Sequence, residues 1–261
     1  MARLTKKQQQ RGRLVRRLVL GSAVIGILAM AALAWRWQAT LPLRGVAVEG
    51  FVRADSAEVV RMAAVESDTV AVPLFALDPD LIADRVRRAP WVRDARVRRL
   101  PTGTLAIRVE ERTPVALVLD GSGRPSHYLD AEGFSLPLRA HDPFDVPLLR
   151  GTVPTSHPTQ PVESEALREL LTALASLDDE TDALVSEITL GAGGDAVLRT
   201  SPRGGHGALP VRLGAGGYAE KLERLHAFWH QAILTRPETP IQTVDLRFDG
   251  QIVTREADPT P

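Results

Sequence analysis

The sequence predicts an α+β protein that has an N-terminal transmembrane helix, a compact β-α-α-β-β unit and a mostly antiparallel β domain with two helices. Three observations predict this fold class: a basic segment before a long apolar run, a stretch with clear helix and strand periodicities, and a longer stretch of short apolar strands between glycine- and proline-rich turns. The 261 residues include no cysteine, which excludes disulfide bonds and thiolate metal sites.

The apolar run covers residues 18–35 and carries no charge. As a helix it is about 27 Å long, close to the thickness of the hydrocarbon core of a bilayer. Residues 1–17 hold seven basic residues and no acidic one, and Trp35 and Trp37 mark the far boundary. The positive-inside rule therefore predicts a cytoplasmic basic tail and an extracytoplasmic remainder. A cleaved signal peptide is the alternative, because residues 32–34 form a small-x-small site, but the lengths of the basic and apolar segments favour a retained anchor.

Residues 43–112 predict the β-α-α-β-β unit. A first strand contains Val46 and Val48, and a first helix is expected to begin near Asp55. A second helix should begin with Asp78 as its cap and Pro79 in its first turn. Its apolar residues and its expected end are Ile82, Val86, Ala89 and Pro90.

Two strands follow the helices of this unit and are joined by a turn at residues 101–103. In both strands apolar and charged side chains alternate with a period of two, as expected for a sheet with one buried and one wet face. The predicted inward-facing residues include Ala95, Val97, Leu105, Ile107 and Val109.

Residues 113–253 predict the β domain, and residues 254–261 a short tail. Two amphipathic helices are expected at residues 163–177 and 218–234. The last strand, 241–248, should turn at Asp249-Gly250 into 251–253. The other strands are expected at residues 115–119, 128–130, 146–149, 185–190, 196–200 and 210–213.

The segment 214–219 matches GxGxxA, follows a strand-like stretch and opens a helix, as a dinucleotide-binding loop does. Only 16 residues follow Asp245, too few for the further strands of a doubly wound sheet. The glycines are therefore interpreted as turn formers, and no cofactor is expected.

His226 and His230 stand four residues apart on a predicted helix, with Glu223 one turn earlier. A zinc peptidase would require HExxH, which is not present at this pair, so a helix surface is the preferred interpretation and no metal site is predicted. No nucleophile motif or acid/base pair was found, so the protein is not expected to be an enzyme. Arg96, Arg98 and Arg99 lack interleaved aromatic residues, which argues against nucleic-acid binding.

The run APWVRDARVRRLPTGTLAIRVEERTPVA at residues 89–116 resembles the FtsQ/DivIB family of bacterial cell-division proteins. Shorter motifs of that family follow its order along the chain: Val48-x-Gly50, Leu129-Asp130-x-x-Gly133, Pro147-Leu148-x-x-Gly151 and Val244-Asp245-Leu246-Arg247-Phe248. The resemblance implies that residues 43–112 form a POTRA domain and that the rest of the chain forms the family's β domain.

The resemblance also implies a function, which is a division-septum scaffold in the cytoplasmic (inner) membrane. Such proteins link early and late division components, bind FtsB-type and FtsL-type bitopic coiled-coil proteins, and help to recruit or regulate the septal peptidoglycan synthase complex. In that family the terminal strand receives the FtsB-type partner, and the matching positions are Arg247, Phe248, Asp249, Gly250 and Ile252. The alternative is a membrane-anchored POTRA-type secretion or assembly factor.

Overall fold

The computed structural model describes residues 6–50, 56–63, 73–139, 143–203, 206–235 and 241–256. The chain divides into two compact units. The first comprises Met1–Ala89 and Asp94–Glu110, and the second comprises Pro90–Arg93 and Glu111–Pro261. The architecture confirms the predicted fold class, with an apolar N-terminal helix, a POTRA-like unit and a β-rich domain with helices.

The N-terminal helix, α1, spans Lys6–Ala39. Its segment Arg16–Trp37 is long and apolar enough to cross a membrane, and none of that segment is buried. Large apolar side chains that face outward around a helix are expected where lipid replaces water. This helix extends beyond the predicted span of residues 18–35 at both ends, because the flanking residues also favour helix.

The rest of the first unit has three strands and two short α-helices among its described residues. Strand β1 (Gly45–Glu49) pairs in parallel with β3 (Thr104–Glu111), and β3 lies between β1 and β2 (Val92–Arg99). Helices α2 (Ser56–Ala63) and α3 (Pro79–Val86) contact each other and bury their apolar sides. The buried residues from the helices and from β3 are Val59, Ala63, Ile82, Ala83, Val86, Leu105, Ile107 and Val109.

The predicted start of α3 is confirmed, and its predicted end is wrong. Asp78 Oδ1 accepts hydrogen bonds from the backbone N–H groups of Asp80 and Leu81, and Pro79 is the first helical residue. The helix ends at Val86, before Ala89, because the backbone then tightens into turns in which Ala89 N–H donates to Val86 C=O. The predicted cap at Asp55 lies outside the described residues.

In the described part of the second unit, nine strands form one mixed sheet with the order β12-β11-β10-β9-β8-β7-β4-β5-β6. Strand β4 pairs in parallel with β7, as do β7 with β8 and β10 with β11, and the other neighbours are antiparallel. The strands are β4 (Pro114–Leu119), β5 (Pro125–Asp130), β6 (Ser135–Pro137), β7 (Leu148–Gly151), β8 (Val185–Leu190), β9 (Ala196–Thr200), β10 (Pro210–Gly214), β11 (Ile241–Asp245) and β12 (Val253–Glu256).

Three α-helices accompany this sheet in the described residues: α4 (Glu165–Ala175), α5 (Asp179–Asp182) and α6 (Tyr218–Phe228). A π-helical turn, Trp229–Ile233, follows α6 directly. Helices α4 and α6 contact each other, and their buried stripes join the sheet in one apolar core. The helical members of that core are Leu167, Leu170, Leu171, Ala173, Leu174, Tyr218, Leu222, Leu225, Trp229 and Ile233.

Two short elements of this unit, β6 and α5, were not predicted. Strand β6 has only three residues, and α5 consists of the polar sequence DETD, so neither carries a recognisable apolar period.

The predicted end of the last strand and the predicted bounds of the strand that returns after the turn are both wrong. Strand β11 ends at Asp245, three residues before the predicted end, and the returning strand runs from Val253 through Glu256, beyond residue 253.

Candidate functional site

The five residues that the family resemblance singles out lie together, but in a loop and not in a strand. Arg247, Phe248, Asp249, Gly250 and Ile252 belong to the connection between β11 and β12, residues 246–252, which we call the terminal loop. Strands β11 and β12 with this loop form the terminal hairpin. The expectation that these residues form the terminal strand is therefore corrected: the terminal strand is β12, which begins just after Ile252.

Within the described part of the second unit, β12 is the outermost strand at one side of the sheet. Of the strands that the structure describes, β12 pairs with β11 alone, in antiparallel register from Asp245↔Val253 to Ile241↔Glu256. An outer strand presents backbone N–H and C=O groups that can pair with an added strand. The terminal hairpin therefore combines an edge strand with an adjoining loop.

The terminal loop exposes one large apolar side chain, buries a second and partly buries a third. Phe248 is 51% exposed, whereas Leu246 is fully buried and Ile252 packs against the core. The backbone turns tightly after Phe248, since Gln251 N–H donates to Phe248 C=O at 3.3 Å. The phenylalanine therefore does not fill the core of its own domain and is available to a partner.

Arg224 of α6 attaches the terminal loop to the body of the domain. Its Nη2 donates to Leu246 C=O at 2.8 Å, and its Nη1 donates to Phe248 C=O at 3.2 Å. A guanidinium has a planar fork of donors, so a single side chain can hold two carbonyl groups in fixed positions. Arg224 thus fixes the backbone on which the exposed phenyl ring is mounted.

Arg247 is held by Asp245, the last residue of β11. The guanidinium Nη2 lies 2.6 Å from Asp245 Oδ2, and the backbone N–H of Arg247 also donates to Asp245 Oδ1 at 3.1 Å. The hydrogen bonds from the Arg247 side chain are the main cause that lowers the pKa of Asp245 below its ordinary value. The Asp245 carboxylate therefore stays ionised at neutral pH. Because it accepts a hydrogen bond from the backbone N–H of Arg247, the backbone turns here and β11 ends.

Gly214 gives the Arg247 side chain room to lie across the sheet. A Cβ atom on Gly214 would stand 2.9 Å from Arg247 Cγ, so a larger residue at this position would push the arginine away. Gly214 is the first glycine of the GxGxxA segment, and Lys221 Nζ of α6 donates to the carbonyl groups of Ala215 and Gly216 in the same segment. These contacts show a turn stabilised from within the chain.

Sequence reasoning missed two residues of this site for different reasons. Gly214 carried a signal, the GxGxxA match, but the match pointed to the wrong chemistry. Arg224 carried none, because its contacts join residues that are far apart along the chain. A charged residue at a half-buried position of an amphipathic helix is the weak clue that the sequence offers.

We expect Arg224→Ala to loosen the terminal loop while the core stays folded. The variant loses two hydrogen bonds from a charged donor, interactions that are worth about 1.5–3 kcal/mol each. Hydrogen exchange of the Gln251 amide, which donates to Phe248 C=O, should therefore accelerate at least about tenfold.

The matched control is Arg199→Ala, which removes an exposed arginine on β9. It should leave exchange in the terminal loop unchanged. Equal exchange rates for the Gln251 amide in the wild type and in Arg224→Ala would show that the arginine does not hold the loop.

An outward-facing apolar helix, a β-α-α-β-β unit and a β domain with an accessible terminal hairpin define a membrane-anchored POTRA protein. Comparison with known families gives the same result. Residues 41–112 match the FtsQ-type POTRA domain, and residues 113–255 match the family described as FtsQ/DivIB, C-terminal related.

Curated relatives extend this similarity over nearly the whole chain. The chain is 48% identical to the cell division protein FtsQ of Rhodothermus marinus over 251 residues, which cover 96% of this chain and 90% of that protein. It is 41% identical to the cell division protein FtsQ of Salinibacter ruber over 237 residues, 90% of either chain. The protein belongs to the FtsQ/DivIB family of cell-division proteins, as the sequence motifs indicated.

Proposed function

We propose that this protein is a bitopic scaffold of the division septum that links early and late division proteins. It acts through protein contacts, without catalysis, and helps to recruit or regulate septal peptidoglycan synthesis. Family membership supports the division role. The seven basic residues before the apolar run at residues 18–35 support a cytoplasmic N-terminus and an extracytoplasmic C-terminus in the inner membrane.

The observation that carries the partner-binding proposal is the exposed Phe248 beside an outermost strand. Phe248 is 51% exposed, and it lies on a loop that its own domain holds in place through Arg224. Aromatic anchors in rigid surroundings dominate binding energies at protein interfaces. A partner strand that pairs with β12 would bring its own apolar side chains close to this ring.

The partner in this proposal is the FtsB-type coiled-coil protein, and the FtsL-type protein joins the same complex. The choice rests on the family resemblance of residues 247–252. The terminal hairpin suits an extended segment, because backbone pairing supplies affinity while Phe248 and Arg247 supply side-chain selectivity. Arg247 remains 44% exposed although it is paired with Asp245, so one side of its guanidinium is open to an acidic residue of the partner.

We expect Phe248→Ala to weaken binding of the FtsB-type partner by about 2 kcal/mol, roughly thirtyfold in Kd, because an interface anchor is lost. Gly250→Val should also weaken binding, since Gly250 has a φ of 68° that valine does not tolerate. Titration of the full chain in nanodiscs with the extracytoplasmic segment of the partner gives both values.

Leu138→Ala is the matched control, because Leu138 is also an exposed apolar residue, at 43%, and follows β6 at the opposite edge of the same sheet. Its Kd should equal that of the wild type, and all three variants should unfold at wild-type temperature within a few degrees. Unchanged affinity with both Phe248→Ala and Gly250→Val would place the partner elsewhere on the protein.

A further inference from the structure

Helices α5 and α6 bring two carboxylates and two imidazoles to one surface of the second unit. The residues are Asp178, Glu180, His226 and His230, which we call the α5–α6 cluster. Sequence reasoning considered Glu223 as the acidic neighbour of the two histidines. In the structure the carboxylate beside His230 is that of Glu180, which comes from a different helix.

The donor atoms of this cluster converge. One ligand atom from each of Glu180, His226 and His230 lies within 4.8 Å of the other two. The Nε2 atom of His230 is 3.3 Å from Glu180 Oε1, and the Nδ1 atom of His226 is 4.0 Å from Asp178 Oδ2. The two imidazole rings have their centroids 4.6 Å apart.

Local structure holds these groups in place. Asp178 caps α5 by accepting hydrogen bonds from the backbone N–H groups of Glu180 and Thr181, and these bonds help to fix the position of Glu180. The backbone hydrogen bond from Thr181 is the largest cause that lowers the pKa of Asp178. On the other side, the buried ring of Trp229 anchors the π-helical turn that carries His230.

We propose that the α5–α6 cluster binds one divalent transition-metal ion of the zinc class through Glu180, His226 and His230. Two imidazoles four residues apart on a helix and one carboxylate are ligands that suit Zn²⁺, Ni²⁺ or Cu²⁺. In a tetrahedral site with bonds of about 2.1 Å, ligand atoms are roughly 3.4 Å apart. Glu180 is exposed, so its side chain has room to close the remaining distance to the histidines.

The charges favour a cation at this position. Glu180 and Asp178 are acidic and Arg203 is basic, with its Nη2 atom 3.9 Å from Glu180 Oε1, so these three side chains carry a formal net charge of −1. The two histidines are only about one-third exposed, with side-chain exposures of 33% and 34%. A metal ion would replace the contact between Glu180 and His230 with two stronger bonds.

The bound metal ion would also join α5 to α6, the helix whose Arg224 holds the terminal loop. The inference goes beyond the proposed function and does not rest on it.

The test is a titration of the full chain, purified without a histidine tag and treated with a chelator, with Zn²⁺ alone by calorimetry and with Co²⁺ alone by absorption spectroscopy. We expect one equivalent of Zn²⁺ to bind, the melting temperature to rise, and Co²⁺ to give visible d–d bands of a tetrahedral site. Glu180→Gln and His230→Gln should each weaken Zn²⁺ binding at least about tenfold.

His157→Gln is the control, because His157 is an exposed loop histidine that leaves the cluster intact. It should bind Zn²⁺ as the wild type does. The proposal is overturned if the wild type binds no Zn²⁺, or if Glu180→Gln and His230→Gln bind it as tightly as His157→Gln does. The cluster would then only pack α5 against α6, through the contact between Glu180 and His230 and a hydrogen bond between the Thr181 hydroxyl and His226 Nδ1.

Discussion

Arg112→Ala is expected to lower the free energy of unfolding of the second unit by about 3–5 kcal/mol, the cost of leaving a buried charge without its partner. Arg112 Nη1 lies 2.6 Å from Asp130 Oδ2, and the two side chains are only 9% and 7% exposed. The other oxygen of Asp130 accepts hydrogen bonds from the backbone N–H groups of Glu132 and Phe134. The pair joins the family-like run at residues 89–116, which contains Arg112, to the motif Leu129-Asp130-x-x-Gly133.

Urea unfolding followed by tryptophan fluorescence measures this effect, because Trp91 and Trp229 are both buried in the second unit. Arg150→Ala is the matched control: Arg150 pairs with Glu187 at 2.8 Å, but it is 46% exposed. Exposed ion pairs contribute about 0–1 kcal/mol, so this variant should unfold almost as the wild type does. Equal losses in the two variants would contradict a special role for the buried pair.

Gly151→Ala is expected to destabilise the second unit by about 3 kcal/mol, the sum of a left-handed backbone and an overpacked contact. Gly151 ends β7 with a φ of 97°. A Cβ atom at this position would lie 2.2 Å from the carbonyl oxygen of Leu190, which accepts a hydrogen bond from Thr152 N–H at 2.7 Å. Strands β7 and β8 would therefore have to separate at their ends.

The variant Gly123→Ala separates the cost of the left-handed backbone from the cost of the overpacked contact. Gly123 also has a positive φ, 78°, in the turn between β4 and β5, but nothing lies within 4 Å of the position its Cβ would take. This variant should lose only the cost of the left-handed backbone, about 1–2 kcal/mol. If it loses as much as Gly151→Ala in the same urea series, the close approach to Leu190 has no energetic role.

The sequence predicts those elements whose two faces differ in polarity. In β3 the side chains of Leu105, Ile107 and Val109 are buried while those of Arg108 and Glu110 are exposed, so the period of two is visible without a structure. Helix α4 is visible for the same reason through its leucine stripe. The four polar residues of α5 have no such difference, and capping by Asp178 is what makes them helical.

The terminal hairpin shows where sequence reasoning fails. Apolar and polar residues continue to alternate past Asp245, and Leu246 is buried as a strand residue would be. The alternation therefore predicts a longer strand. The strand nevertheless ends there, since Asp245 accepts hydrogen bonds from the backbone and side chain of Arg247. The family resemblance supplied the positions of the candidate site, but the support from Arg224 and the space at Gly214 depend on contacts that only the fold creates.

The most direct test of the division role is depletion of the native protein in the source bacterium while a fluorescent fusion of this chain is expressed. We expect the wild-type fusion to form mid-cell rings and restore septation, whereas cells without it grow as filaments with segregated nucleoids. A Phe248→Ala fusion should restore septation less well than a Leu138→Ala fusion. A uniform envelope signal with normal septation after depletion would contradict the division role and favour a secretion or assembly function.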